Sequence, residues 1–389
     1  MRRRRRRRLL AEILVEDCEG KRVHPNKETT ISHDSEIDAD QNQVLILDDL
    51  LIKILILLPS ESLFSAQFVS KKCFSLINSS TFIRFHAQKC ETVLICTCST
   101  SLKKPSHGEE EENEPKHYHF RFLDLFDGSN SFVESSVVVP LVIQVSYDGL
   151  ILATTRYSNE LMLINPVTKK HALLPLSTDD RPRFQSFDIA YCNKEKTYKI
   201  MHIVLFKESG GLICNIMSIR TRRWRRIEEP HLWLDIRQAA VSVEGSLHWM
   251  SLKEGCDYFV SLNLNDEKFV PKNLPVCRGL EDQLLEIGGY LGLVTQMQME
   301  MEMMMQVWIL VGENWMKKYS INVNINVGGG ELFHRAVPVC CWRNGKGIVV
   351  EKANGLYVHN LESGEMKLIH SSFDQMNHVA HWNTLVAIT

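Results

Sequence analysis

A chain of 389 residues with 44% hydrophobic and 24% charged side chains has the composition of a globular protein of two or three units. Removing the seven consecutive arginines Arg2–Arg8 from the 45 basic side chains leaves 38 against 47 acidic ones, so the body is mildly acidic and a general nucleic-acid-binding fold is disfavoured. No uncharged apolar run of about 18 residues occurs, so no membrane span is expected, and eleven scattered cysteines without a secretory leader read as free thiols in a reducing compartment.

Residues 1–43 are polar and poor in aromatics, and read as a disordered basic tail. The block Arg2–Arg8 suits a nuclear address, a phosphate or RNA contact, or a solvated tail. A mitochondrial presequence fits poorly, because Glu12, Glu16, Asp17 and Glu19 follow closely. The placement expected is cytoplasmic, nuclear or both.

Residues 44–89 carry helical periodicity. Leu47, Leu50, Leu51, Ile54, Leu55 and Leu58 make one apolar stripe, yet Ile52, Ile56 and Leu57 off that stripe are apolar too. A second protein is therefore expected to cover part of this helix; the alternative is a small helical subdomain packed on its own chain. Pro59 ends the helix. Ser60 and Ser62 are candidate N-caps of a second helix with Leu63, Phe64, Ala66 and Val69. Ser70 would cap a third, with Cys73, Phe74, Leu76 and Ile77 on its inner side.

This stretch resembles the F-box, the motif that docks proteins onto the Skp-type adaptor of cullin-RING ubiquitin ligases. The family pattern LPxDLLxxILxRLPVKSLxxxxxVxKxWxxLI is matched in register by Asp49-Leu50-Leu51, Ile54-Leu55, Leu58-Pro59, Ser62-Leu63, Val69, Lys71 and Leu76-Ile77, and Ser79-Ser80-Thr81-Phe82-Ile83 continues it. Four positions depart: Leu47 replaces proline, Leu57 a basic residue, Glu61 a lysine and Cys73 a tryptophan. The resemblance implies an adaptor-binding set of Ile46, Leu47, Leu50, Leu51, Ile54, Leu55, Leu58, Pro59, Leu63 and Val69, and through the adaptor a cullin partner.

From residue 90 the pattern changes to short apolar runs broken by turn residues. Residues 92–98 and 117–126 are strand-like, and the polar excursion 99–116, with its acidic run 109–112, reads as an exposed hairpin tip or an acidic docking loop. Strand-and-turn units then recur about every 40–45 residues, five of them between Val145 and His370, as in a β-propeller. The terminal run 378–388 is expected to pair with the first strands and close a ring of about six blades. The predicted architecture is thus mainly β, with a small N-terminal helical module followed by a propeller over residues 90–389.

This region resembles the F-box-associated domain of plant F-box proteins, which is distantly kelch-like. The landmarks are Gly149-Leu150, Asn165-Pro166-Val167-Thr168 with Leu174-Pro175, Tyr198-Lys199-Ile200, Trp224-Arg225-Arg226-Ile227, Glu244-Gly245-Ser246-Leu247-His248-Trp249 and Ser261-Leu262-Asn263-Leu264, in the family's order.

Several constellations invite sharper chemistry. Cys96, Cys98, His117 and His119 share one face of paired strands and could hold zinc, although alternation is what any strand produces. Met297, Met299, Met301, Met303 and Met305 alternate with other residues. They read as a hairpin with a methionine face suited to a partner, copper(I) being the other reading. Arg220, Arg222 and Arg223, with Arg225 and Arg226, flank Trp224. They suit capture of an acidic target or are exposed strand residues.

No catalytic motif is found: Gly328-Gly329-Gly330 lacks a phosphate-helix context, Asp179-Asp180 falls in a loop, and no metal or cofactor is called for. The resemblances imply a non-catalytic subunit of an SCF-type ligase that holds a target on its propeller. The alternatives are a non-ligase interaction propeller with a structural F-box, and a propeller enzyme.

Overall fold

The computed structural model describes residues 49–389 apart from 88, 91, 101–116, 126–127, 135–138, 158–159, 179–181, 183, 206–210, 253–256, 276–281, 300–301, 324–335, 343–344, 353–354, 372–377 and 389. The basic tail, the acidic run 109–112, Asp179-Asp180 and the glycines 328–330 thus lie outside the described residues, as do Ile46 and Leu47. The chain divides into two compact units, Met1–Ile54 and Leu55–Thr389. The division falls inside the stretch 44–89 that the sequence suggests as one module.

Helix α1 covers residues 49–55. The second unit begins with three short helices, α2 (Ser60–Ala66), α3 (Lys71–Ile77) and α4 (Ser80–Ala87). Ser70 caps α3 as expected, its Oγ accepting the Cys73 N–H at 3.0 Å, and Ser79 does the same for Phe82 at 3.2 Å. The expected cap of α2 is corrected: Pro59 occupies that position and has no side-chain acceptor, while Ser60 is already inside the helix and its hydroxyl donates to the Asn383 carbonyl.

Six four-stranded antiparallel sheets follow. The first holds β1 (Thr92–Thr100), β2 (His117–Asp124) and β3 (Asn130–Glu134). The second is β4 (Leu141–Tyr147), β5 (Leu150–Thr155), β6 (Leu161–Asn165) and β7 (Lys170–Leu174), and the third β8 (Gln185–Cys192), β9 (Thr197–Leu205), β10 (Leu212–Ser218) and β11 (Arg223–Arg226). The fourth is β12 (Val241–Val243), β13 (Ser246–Met250), β14 (Tyr258–Asn263) and β15 (Lys268–Asn273). The fifth is β16 (Gln283–Ile287), β17 (Tyr290–Met299), β18 (Glu302–Val311) and β19 (Asn314–Asn322), and the sixth β20 (Val337–Trp342), β21 (Gly347–Lys352), β22 (Gly355–Asn360) and β23 (Met366–His370). The last strand, β24 (Val379–Trp382), returns to pair with β1, Thr92 opposite Trp382 and Ile95 opposite Val379.

Six inter-sheet cores show that these sheets form a closed ring. Ile95 and Phe122 pack with Ile151 and Ile164, Leu152 and Leu163 with Ile189 and Met217, and Ile203 and Cys214 with Trp249 and Val260. Phe259 packs with Leu291 and Leu293, Met305 and Val307 with Ile348 and Val350, and Val349 and Val358 with Leu94 and Leu123 of the first sheet. Middle strands buried on both faces read as unbroken apolar runs: β5 and β6 are buried throughout. The fourth strands β11 and β15 are mostly exposed and carry Arg223, Arg225, Lys268, Lys272 and Pro271, which blunt the sheet edges against further pairing.

The turns explain why the units recur. Tyr147 pairs with Leu150 and Val243 with Ser246 across two-residue hairpins, whose central residues take positive φ: Asp148 50° and Gly149 77°, Glu244 50° and Gly245 72°. Three outer hairpins open with an asparagine whose side-chain oxygen accepts N–H groups two or three residues on, from Asn165, Asn263 and Asn360. Strand alternation gathers these hairpins at one end of the ring and the connections between blades at the other. Trp382, the last residue of β24, lies at the hairpin end.

The expected methionine face is corrected. Met297 pairs with Met304 and Gln298 with Met303, so odd positions of β17 share a face with even positions of β18. The register, with Met299 opposite Glu302, reverses the parity: Met303 and Met305 enter the core between the fifth and sixth sheets, while Met297 stays 40% exposed.

Candidate functional site

The helical residues sort into two groups. Leu55, Ile56, Leu63, Cys73, Ile77 and Phe82 are buried, so Cys73 fills an inner position despite its small volume. Leu57 is 76% exposed, Phe68 72%, Val69 79% and Phe74 52%. Phe74 was expected on the inner side of its helix and is not. In the first unit, Leu50 and Ile54 are 51% and 59% exposed. Of the ten residues in the expected adaptor set, Leu50, Ile54, Val69 and Pro59 are thus exposed, and Leu51 and Leu58 half-buried. Leu55 and Leu63 are enclosed, and in this conformation support the helices rather than present a surface.

Helix α2, and Cys90 beyond the end of α4, are fastened to the ring just past the closing strand. The Asn383 carbonyl accepts hydrogen bonds from Ser60 Oγ and from Cys90 Sγ (2.9 Å), and Asn383 Nδ2 donates to Glu61 Oε1 at 2.7 Å. Burial pushes the Cys90 thiol up to about 11, which keeps it a neutral donor. His86 Nε2 donates to the Leu58 carbonyl at 2.8 Å, and desolvation lowers its pKa, so the ring is neutral and this tautomer is set. Sequence reasoning missed Asn383, for nothing local marks a residue that serves a helix 323 positions away.

The basic strip of the third sheet also divides. The Trp224 indole N–H donates to the Pro175 carbonyl at 2.7 Å and its ring packs on the core between the second and third sheets. Trp315 repeats the device, donating to the Asn273 carbonyl at 2.9 Å. Trp224 therefore ties neighbouring blades together. Arg225 is engaged by Glu267, Arg226 by Glu229 (3.2 Å), and buried Lys199 by Glu195 and Glu267 at 2.6 and 2.8 Å. Burial opposes the Lys199 charge, but those carboxylates hold its pKa above the ordinary value. Arg220, Arg222 and Arg223 are exposed, and no carboxylate among the described residues lies within ion-pair distance of them.

The register places Cys96 opposite Arg121 and Cys98 opposite His119. Among the described residues no three His, Cys, Asp or Glu side chains converge to hold a metal. Nor is any helix among them long and apolar enough to cross a membrane. Asp188, fully buried, accepts hydrogen bonds from Ala240 N–H and Ser186 Oγ, and burial raises it to about 6. It binds the inner strand of the third sheet to the connection that follows, a structural role.

Comparison with known proteins gives two family matches. The F-box domain matches residues 47–85 and the F-box associated beta propeller domain residues 129–328. F-box protein At3g07870 of Arabidopsis thaliana is 24% identical over 362 residues, covering 84% of this chain and 82% of the relative. F-box protein CPR1 of the same plant is 24% identical over 362 residues, covering 82% of this chain and 83% of the relative. Among solved structures, TolB from Acinetobacter baumannii superposes with a TM-score of 0.45 at 9% identity, over 75% of this chain and 66% of that one.

Proposed function

Because the chain belongs to the F-box proteins with an F-box-associated β-propeller domain, we propose that it is the substrate-recognition subunit of an SCF-type cullin-RING ubiquitin ligase. The F-box docks on the Skp-type adaptor and the propeller holds the protein to be ubiquitinated. The chain itself supplies no bond-making group. It raises the local concentration of target lysines near the charged conjugating enzyme, which turns a bimolecular encounter into an effectively intramolecular one. The hydrogen bonds at Asn383 support this role, because a handle fastened to the ring transmits position rather than swinging freely.

The observation that carries the reading is the exposure of Ile54, Leu57, Phe68 and Val69 within a stretch that matches the F-box domain. The experiment is co-expression with a Skp-type adaptor. Ile54→Asp and Val69→Asp place a charge on an apolar contact, which costs several kcal/mol once covered, and should abolish co-purification. Neither should lower the melting temperature, since both side chains are exposed in the free chain. Adaptor capture unchanged in both variants would refute the assignment.

A second reading, a non-ligase interaction propeller whose F-box is structural, is favoured by Glu61. That residue stands where the family carries lysine, and here it is bonded to Asn383. Failure of the wild-type chain to capture any Skp-type adaptor would select this second reading.

A further inference from the structure

Between the second and third blades, at the hairpin end of the ring, lies a cavity of about 320 Å³. Its walls are mixed: Leu150 and Leu163 from the second blade, Ile219 from the third and Ile388 from the C-terminal segment supply apolar surface, and Tyr191, Thr197 and Tyr198 supply polar groups beside it. Lys196 and Arg220 form its rim, with an Arg220 Nη2 to Lys196 carbonyl approach of 3.5 Å. Lys194 beside them is exposed, as are Arg222 and Arg223, which continue the rim along the β10–β11 turn. Five cations thus fall on the β8–β9 and β10–β11 turns of one blade and at the start of β11, and no carboxylate among the described residues lies within ion-pair distance of any of them, Glu195 being engaged by Lys199, on a body that carries more acids than bases.

We infer that this is the target-holding site: an extended acidic segment of the target lies along the five cations and inserts one large apolar side chain into the cavity. The reading rests on the substrate-receptor role proposed above. The neighbouring cations Lys199, Arg225 and Arg226 are matched to Glu195, Glu267 and Glu229, so charge neutrality is the local rule and this cluster departs from it. Like charges on neighbouring turns repel one another unless a partner brings opposite charge. Of the nearby carboxylates, Asp148 accepts the Tyr198 hydroxyl at 3.2 Å, and Glu195 is paired with Lys199. A free inorganic anion has no use for the apolar part of the walls. The volume is at the lower limit for a ligand pocket, which suits one inserted side chain.

The test uses the full chain and a library of acetylated nonapeptides. The central position is Leu, Phe, Trp or Gly, and the flanks are randomised over Asp, Glu, Ser, Gly and Lys. Recovered peptides should carry acidic flanks and a large apolar centre. The double variant Lys196→Glu/Arg220→Glu should weaken their binding at least about tenfold, as loss of desolvated charge pairs does. Ala387→Phe adds bulk at an exposed wall position while leaving the rim charges, and should weaken binding by a similar factor.

Recovery of no peptide, or of basic or neutral ones, overturns the inference. So does recovery indifferent to the central residue or to Ala387→Phe, and equal binding of a poly(U) oligonucleotide would then assign the patch to polyanions. Adaptor capture is measured on the same preparations. Peptide selection without adaptor capture removes the ligase role and leaves the cavity site standing; the converse removes the cavity site alone.

Discussion

Replacing Asn165 by alanine removes four hydrogen bonds at once. The side chain sits at the end of β6, fully buried. Its Oδ1 accepts the Val167 and Thr168 N–H groups at 3.0 and 3.1 Å, shaping the outer hairpin of the second blade. Its Nδ2 donates to the Thr384 and Val386 carbonyls at 3.1 and 2.8 Å, holding the segment that follows the closing strand. At about 1 kcal/mol per bond the loss is roughly 4 kcal/mol, and more where a buried partner is left without water. For a chain of this size about 2 °C is lost per kcal/mol, so the melting temperature should fall by about 8 °C. Asn165→Asp keeps both acceptor bonds and sets a carboxylate against the two carbonyls. It should release the C-terminal segment while sparing the hairpin, and limited proteolysis should then cut after Trp382 faster than in the wild type. An alanine variant that melts within about 2 °C of the parent, or cleavage rates unchanged in both variants, would refute the reasoning.

The ring was legible because its signals are local. Two-residue turns such as Asp148-Gly149 and Glu244-Gly245 punctuate the apolar runs, and the Asn-led outer turns mark the blade ends; Val379 and Ala380 at the far end announced a strand with no partner nearby. The helical handle was legible as a motif but not as a surface. Periodicity shows that Leu55 and Ile54 are both apolar, yet only the fold decides that one is enclosed and the other 59% exposed. Met303 and Met297 separate because the antiparallel register sets odd positions of β17 against even positions of β18, which no count along the sequence reveals. Trp224 looked like a target contact because five arginines flank it. Its indole proton goes to Pro175, a pairing across blades with no signature in either segment. The fastening of Ser60 and Cys90 to Asn383 was illegible for the same reason.

Three further outcomes follow from the packing. Gly149 holds φ at 77°, and a Cβ there would sit 2.1 Å from Thr384 Oγ1, so Gly149→Ala should cost more than the roughly 1 kcal/mol of a left-handed alanine and lower the melting temperature measurably. Burial pushes His202, His248 and His359 down to about 4 and His381 to about 3, whereas unfolded imidazoles titrate near 6.5. Between pH 6.5 and about 4 the unfolded chain therefore binds more protons, and stability falls as pH falls, by up to about 1.4 kcal/mol per pH unit for each histidine. Asp188, raised to about 6, and Asp148, Glu286 and Glu351, also raised by burial, act in the opposite sense, whereas His86, lowered by burial, and Glu267, lowered because its ion pairs outweigh its burial, add to the fall. A melting temperature that is flat or rises from pH 7 to pH 5 would contradict this balance. The last outcome concerns closure. Deleting residues 379–389 removes the innermost strand of the first blade, so β1 loses its pairs with Val379, Ala380, His381 and Trp382 and presents an unpaired edge to solvent. The same deletion uncovers the cores that Val379 and Ala380 help to cover on either side of that blade, and takes away Asn383, the anchor of the helices. One short strand thus serves both neighbours of a blade and the handle beside it. The truncated chain should be insoluble on expression, and a soluble product that melts in a single cooperative transition would show that the ring does not depend on the pairing of its two ends.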